Sequence, residues 1–321
     1  MAVAVVVNVV VVVVVVVNGD DDVNGRVTKA TRSLRRRSLR RARSAAARSV
    51  VARARANARD GTVGRARWPS SDDAPKTAAL VGPAHAGEGH LMTKRTLREL
   101  ASGLHVAEAK QGFYGLELGA RMSVLETSQG LLVCSPIAME PEAIHRLGTP
   151  RWVLAPNLFH HLYAGPWIDA GLEGWCAAGL PKKRPDLKAR VVEPGTQPFG
   201  SEIEVLPLTC FSFSNEVVVL HRPSRTLVVT DLCFNLPSSA PLYTRLAMRA
   251  MGGYPGVRTT LLERFGMQRA IARRELGTIA SWDFDRLVLA HGDVVERGGK
   301  DAFVRAFGWL LRDAAPQLPA G

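Results

Sequence analysis

Four cysteines in 321 residues, Cys134, Cys176, Cys210 and Cys233, are widely spaced, and no two form a C-x-x-C pair. That scarcity argues against a disulfide framework and a cysteine zinc knuckle, and it suits a reducing compartment. Cys134 and Cys233 lie in or beside apolar runs, where a cysteine ordinarily packs as a small buried side chain. A membrane-spanning run is also lacking: the valines from Val9 to Val17 fall short of the ~20 residues a spanning helix needs. No basic residue precedes them and Asp20-Asp21-Asp22 follows, so they do not form a secretory signal. They read as the h-region of a bipartite leader or as low-complexity sequence read through from a mis-called start. Missing too are a glycine-rich phosphate loop, a G-x-S-x-G elbow and a Cys–His pairing, which leaves nucleotide-binding and serine-hydrolase readings without support. From Val27 to Arg59 there is no acidic residue.

What fills that acid-free stretch is Arg, Ala, Ser and Val, the composition of an organelle transit peptide. Composition alone does not separate the two destinations it allows, a chloroplast and a mitochondrion. W-P-S-S-D-D-A-P-K (Trp68 to Lys76) then reads as linker. The expected division is a leader with a disordered linker over 1–88 and one folded domain over 89–321. The formal net charge of +13 follows that division, because residues 1–76 carry 16 basic against 6 acidic residues and the remainder 26 against 23. The basic character belongs to the N-terminal segment, so no nucleic-acid groove is expected on the folded body. A hydrophobic content of 46% with 22% charged residues is that of an ordinary globular chain.

Within the body, R-M-S-V-L-E (Arg121 to Glu126) and G-L-L-V-C-S-P (Gly130 to Pro136) read as strands, followed by a short helix P-E-A-I-H-R-L stopped by Gly148. R-W-V-L-A-P-N is a further strand. E-I-E-V-L-P-L, N-E-V-V-V-L-H and R-T-L-V-V-T-D are three more, the last two joined by an Arg-Pro-Ser turn. Helical patterning runs from Pro241 to Leu276, D-R-L-V-L-A-H-G-D is a last buried strand, and Lys300 to Leu311 is a closing helix. This mixture predicts an α/β (α+β) sandwich. Three apolar strands run into residues of metal-ligand type: V-L-A-P-N…H-H, L-V-V-T-D and L-V-L-A-H-G-D. In α/β proteins, ligands gather beyond the carboxyl ends of strands.

Four blocks carry a resemblance: A-P-N-L-F-H-H-L (Ala155 to Leu162), L-P-K-K-R-P-D-L (Leu180 to Leu187), N-E-V-V-V-L-H-R-P-S-R-T-L-V-V-T-D-L-C-F-N-L (Asn215 to Leu236) and L-V-L-A-H-G-D (Leu287 to Asp293). Over about residues 96–312 the chain resembles the metallo-β-lactamase superfamily, and more closely a domain-of-unknown-function branch found in photosynthetic lineages. The resemblance implies a four-layer αββα sandwich with a metal site at one edge. Catalytic members use H-x-H-x-D-H, a middle histidine, a bridging aspartate and a final histidine to hold two metals. Asp231 and His291 match the last two positions. The first motif does not match: Asn157 and Phe159 stand in its leading histidine slots, His161 in the aspartate slot and Leu162 in the last. No histidine lies near Cys210 to Asn215 to serve as the middle ligand.

The dinuclear mechanism is therefore lost on this reading, with Phe159 expected to intrude on the space of the missing ion. One zinc or iron ion at most is expected, held by Asp231, His291 and one of His160 or His161, since a hydrolytic zinc site takes three protein ligands. Asp231 and Glu216 are the candidate catalytic residues, and Asn157, Asn215 and Lys183 the candidate supporting ones. Each has an ordinary structural alternative. Asp231 could accept backbone N–H groups at a turn, His291 could bond a carboxylate such as Asp231, Glu216 could be a paired structural carboxylate, and Lys182-Lys183-Arg184 could be a solvated run rather than an anion site. Two functions stand: a mononuclear metal-dependent hydrolase acting on an ester or thioester, or a non-catalytic plastid protein. Either allows a small-molecule partner.

Overall fold

Strands that are apolar at nearly every position need both faces covered, and the way these strands are buried follows from that. The computed structural model describes residues 96–113 and 115–311. The leader and linker expected over 1–88 lie outside the described residues. In chain order come β1 (Arg98–Ala101), β2 (Leu104–Ala109), β3 (Gly112–Phe113), β4 (Leu116–Glu117), β5 (Ala120–Thr127) and β6 (Gly130–Cys134). A 3₁₀ helix (Pro141–Leu147) leads to β7 (Pro150–Ala155), α1 (Ala164–Asp169), β8 (Glu173–Cys176), α2 (Leu180–Lys183) and β9 (Ala189–Val191). The second half holds β10 (Ile203–Pro207), β11 (Val217–His221), β12 (Thr226–Val229), α3 (Leu242–Ala250), α4 (Leu261–Gly266), α5 (Arg269–Ser281), β13 (Arg286–Leu289), α6 (Gly299–Ala306) and α7 (Gly308–Leu311).

One sheet has seven strands in the order β1-β2-β5-β6-β7-β8-β9, antiparallel as far as β6 and parallel beyond it. A second has four, β10-β11-β12-β13, with only the β12–β13 pair parallel, and β3 and β4 pair antiparallel by themselves. Alternation along β11 shows how the layers stack. Val217 and Val219 face Leu132, Trp152 and Leu154 of the first sheet in a core between the sheets. Val218 and Leu220 face the other way, into a core with Leu276 and Ile279 of α5 and Phe303 of α6. On the far side of the seven-stranded sheet, Val124, Val133 and Val153 pack with Ile144 and Trp167. The four layers are α, β, β and α, the sandwich that the resemblance implied.

Three helical expectations are refined. The closing helix expected over Lys300 to Leu311 is two short ones, α6 and α7, parted at Phe307. The segment from Pro141 to Leu147 winds as a 3₁₀ helix. The helical pattern expected from Pro241 to Leu276 is three helices, α3, α4 and α5, the last two parted at Met267 and Gln268. The break lies where the backbone closes on Phe211: a Cβ at Gly266 would sit 2.4 Å from that ring. No helix among the described residues is long and apolar enough to cross a membrane.

Candidate metal centre

The carboxyl ends of β6, β7, β12 and β13 meet at one edge of the sandwich, and each delivers a polar side chain there. After β7, Asn157 is fully buried and organises the turn around it. Its Oδ1 accepts the backbone N–H groups of Phe159 and His160, both at 2.8 Å, which starts the helical turn and aims His160. Its Nδ2 donates to Asp231 Oδ2 at 2.7 Å and to Thr230 Oγ1 at 2.9 Å. After β12, the N–H groups of Thr230 and Asp231 donate to Glu216 Oε1 and Oε2, at 2.6 and 2.8 Å. After β13, His291 precedes Gly292, where φ is 97° and a Cβ would lie 2.1 Å from Asn235 O, so the position admits only glycine.

His160, Asp231 and His291 each offer one ligand atom, and these atoms all lie within 4.8 Å of one another. His291 Nε2 is 3.0 Å from Asp231 Oδ1 and 3.1 Å from His160 Nε2, and His160 Nε2 is 3.6 Å from Asp231 Oδ1. The outer nitrogens settle how these groups are aimed. His291 Nδ1 lies 2.7 Å from the carbonyl oxygen of Gly119, which can only accept, so Nδ1 carries the proton. In the neutral ring Nε2 is then a lone pair, turned toward a carboxylate oxygen and another imidazole nitrogen. Acceptors facing acceptors at hydrogen-bond distance repel unless a proton or a cation lies among them. Phe234 stacks on the His291 ring, with centroids 5.6 Å apart and planes at 10°, and holds its plane.

Burial works to raise the Asp231 pKa, but the charge and N–H donation that His160, and then His291, bring in their protonated forms outweigh it and hold the carboxyl well below its usual range. Asp231 therefore faces the cluster as a carboxylate. Glu216 goes the other way. Burial, with the Asp231 charge adding to it, raises its pKa to about 7 despite the two N–H groups it accepts.

The adjacent histidines are separated by the fold. His160 enters the cluster, whereas His161 places Nδ1 3.2 Å from Arg184 Nη1, and the ligand role considered for it is not supported. Burial first, then the Lys183 and Arg184 charges, lower the His161 pKa to about 4. Glu216, buried at 1% exposure, has each oxygen engaged by a backbone N–H and anchors the end of β12. Asn215, at φ 49°, donates from Nδ2 to Ala178 O at 2.8 Å. Lys183 donates to Leu158 O and lies 5.0 Å over the Phe159 ring. Phe159, expected to intrude on a second metal's space, packs edge-on against Phe113 and tilted against Phe213.

Two participants escaped the sequence reading. Ser135 follows β6 and places Oγ 2.8 Å from His160 Nδ1. Its signal was present, because L-L-V-C-S is a fourth apolar strand that ends in a polar residue. Gly119 contributes only a carbonyl oxygen, which leaves no mark in the sequence.

No family model matches the chain, and no curated protein matches it. Solved structures do. The metallo-β-lactamase DIM-1 is similar at 12% identity and a TM-score of 0.49, over 70% of this chain and 99% of that one. A metallo-β-lactamase from Hirschia baltica is similar at 11% identity and a TM-score of 0.48, over 67% of this chain and 98% of that one. The metallo-β-lactamase FIM-1 from Pseudomonas aeruginosa, in its mono-zinc form, has 12% identity and a TM-score of 0.46, over 70% and 97%. At such identities the similarity concerns the course of the chain alone, and the site is described by its own residues.

Proposed function

We propose that this protein is a mononuclear metal-dependent hydrolase acting on a small-molecule ester or thioester. The observation that carries the reading is the convergence of His160 Nε2, Asp231 Oδ1 and His291 Nε2, with the His291 Nδ1 proton committed to Gly119 O. Two imidazoles and one carboxylate are a donor set suited to one zinc or iron ion. An ion held there would supply Lewis-acid chemistry for hydrolysis.

The chain's own residues would do the rest. Gly119 O orients His291, Asn157 Nδ2 fixes Asp231 through its outer oxygen, and Asn157 Oδ1 holds the backbone that carries His160. Such outer partners set ligand orientation and basicity.

The test is the metal content of the protein purified without a metal-affinity tag. One equivalent of zinc or iron is expected, lost in Asp231→Ala and His291→Ala. A wild-type protein that is folded and takes up neither metal overturns the hydrolase and leaves the non-catalytic reading.

The acid-free segment from Val27 to Arg59 and the resemblance to a branch in photosynthetic lineages support delivery to a chloroplast. A fluorescent protein fused behind residues 1–88 should enter plastids in plant cells; retention in the cytosol, or entry into mitochondria, rejects this location.

A further inference from the structure

We propose that Ser135 is a positioning residue for the metal centre, required to accept the His160 Nδ1 proton whenever Nε2 binds an ion. The inference rests on the proposed mononuclear site and names a residue outside the three ligands. Ser135 is nearly inaccessible, at 3% exposure, so it does not meet substrate as a nucleophile. Its Oγ is 2.8 Å from His160 Nδ1, and its backbone continues the β6–β7 pairing through Ser135 N to Leu154 O at 3.0 Å. It also holds φ at 56°, a left-handed conformation that costs a residue with a Cβ and that glycine adopts freely.

A hydroxyl can donate or accept, so without a metal the Ser135–His160 pair can settle in either tautomer. Once Nε2 gives its lone pair to an ion, the proton of the neutral ring must sit on Nδ1, and among the described residues only Ser135 Oγ is placed to accept it. Removing the hydroxyl then strands a buried N–H in the loaded protein. In the metal-free protein the ring can move its proton to Nε2 and leave Nδ1 as a bare lone pair. The loss therefore falls on the loaded state more than on the empty one, and it appears as weakened metal binding. Partners of this kind alter metal affinity by about 10–100-fold.

Two substitutions separate this role from a backbone one. Ser135→Gly and Ser135→Ala both delete the hydroxyl, but only glycine relieves the positive φ. Zinc affinity of the full chain is measured by chelator competition, with the metal-free melting temperature and the visible spectrum of the cobalt(II) form alongside. Both variants are expected to bind zinc about 10–100-fold more weakly and to shift the cobalt bands, while the metal-free Ser135→Gly protein melts no lower than wild type. Wild-type affinity in both variants overturns the proposal, as does a loss in Ser135→Ala that glycine restores. If wild type itself binds no metal, the mononuclear reading falls with it, and that result is distinct from wild type binding tightly and the variants binding equally well.

Discussion

At the scale of single residues, two neighbouring histidines have opposite fates. His160 faces the cluster and His161 faces the Arg184 guanidinium. Substitution should show it: His160→Ala abolishes stoichiometric metal, whereas His161→Ala keeps it, and metal analysis of the two purified variants decides. Loss of metal in His161→Ala with retention in His160→Ala would reverse the assignment. Asn157 carries a different weight. It is fully buried and makes four hydrogen bonds, two to side chains and two from backbone N–H groups. Asn157→Ala leaves those partners unpaired in the interior, at a cost of about 2–4 kcal/mol if one or two go unsatisfied. Chemical denaturation of the metal-free variant measures it, and a change under ~1 kcal/mol would mean that water replaces the amide. The strand-plus-asparagine pattern was legible in the sequence. Which histidine would face inward was not, because it depends on Asn157 Oδ1 capturing the Phe159 and His160 N–H groups and so setting the phase of the turn.

At the scale of elements, the end of β13 is pinned to the segment after β12 through Asn235 and Gly292. Asn235 N donates to His291 O at 3.2 Å, and Asp293 N donates to Asn235 O at 2.8 Å. Gly292→Ala forces a Cβ onto that carbonyl at positive φ, so destabilisation of about 1–3 kcal/mol or more is expected together with weakened metal binding. Calorimetry with metal titration checks both, and an alanine variant with wild-type values for each would show that the pin is not needed. Helix α4 supplies a pH prediction. Glu263 closes its capping box, where a single oxygen, Oε2, accepts both Thr260 N and Thr260 Oγ1 at 2.7 and 2.6 Å. Burial raises its pKa from 4.5 to about 7. Between those values the folded chain holds a proton that the unfolded chain has released, so Glu263 makes stability fall as pH rises through that window. Glu263→Gln keeps an oxygen for both contacts but does not titrate. Relative to wild type it should gain stability steadily from pH 4.5 to 7, by up to ~3 kcal/mol. A pH-independent difference between the two unfolding curves would refute the assignment.

At the scale of the whole molecule, an ion bound only by the folded protein stabilises everything coupled to the four strand ends. At a free zinc concentration 100 times the dissociation constant, linkage adds about 2.7 kcal/mol. That raises the melting temperature of a domain this size by roughly 5–10 °C. Asp231→Ala should show no such rise, and a shift of equal size in that variant would place the stabilising ion elsewhere. The net charge of +13 lies mainly in residues 1–76, which carry 16 basic against 6 acidic residues.

The sequence alone determined the sandwich class, seven of the thirteen described strands (β5 to β7 and β10 to β13) and three strand ends rich in ligand-type residues. Those follow from alternation, apolar runs and turn residues, all of which are local. It also marked Asp231 and His291, since each stands directly after a buried strand. Only the tertiary structure decided that His160 and not His161 completes the cluster, that Glu216 spends both oxygens on the backbone, and that Ser135 and the Gly119 carbonyl stand behind the two imidazoles. These are contacts between segments up to 172 residues apart. A side chain's direction at such a junction depends on how two sheets settle against each other and on which donors the last turn leaves unpaired. Neither is written in the neighbourhood of any one residue.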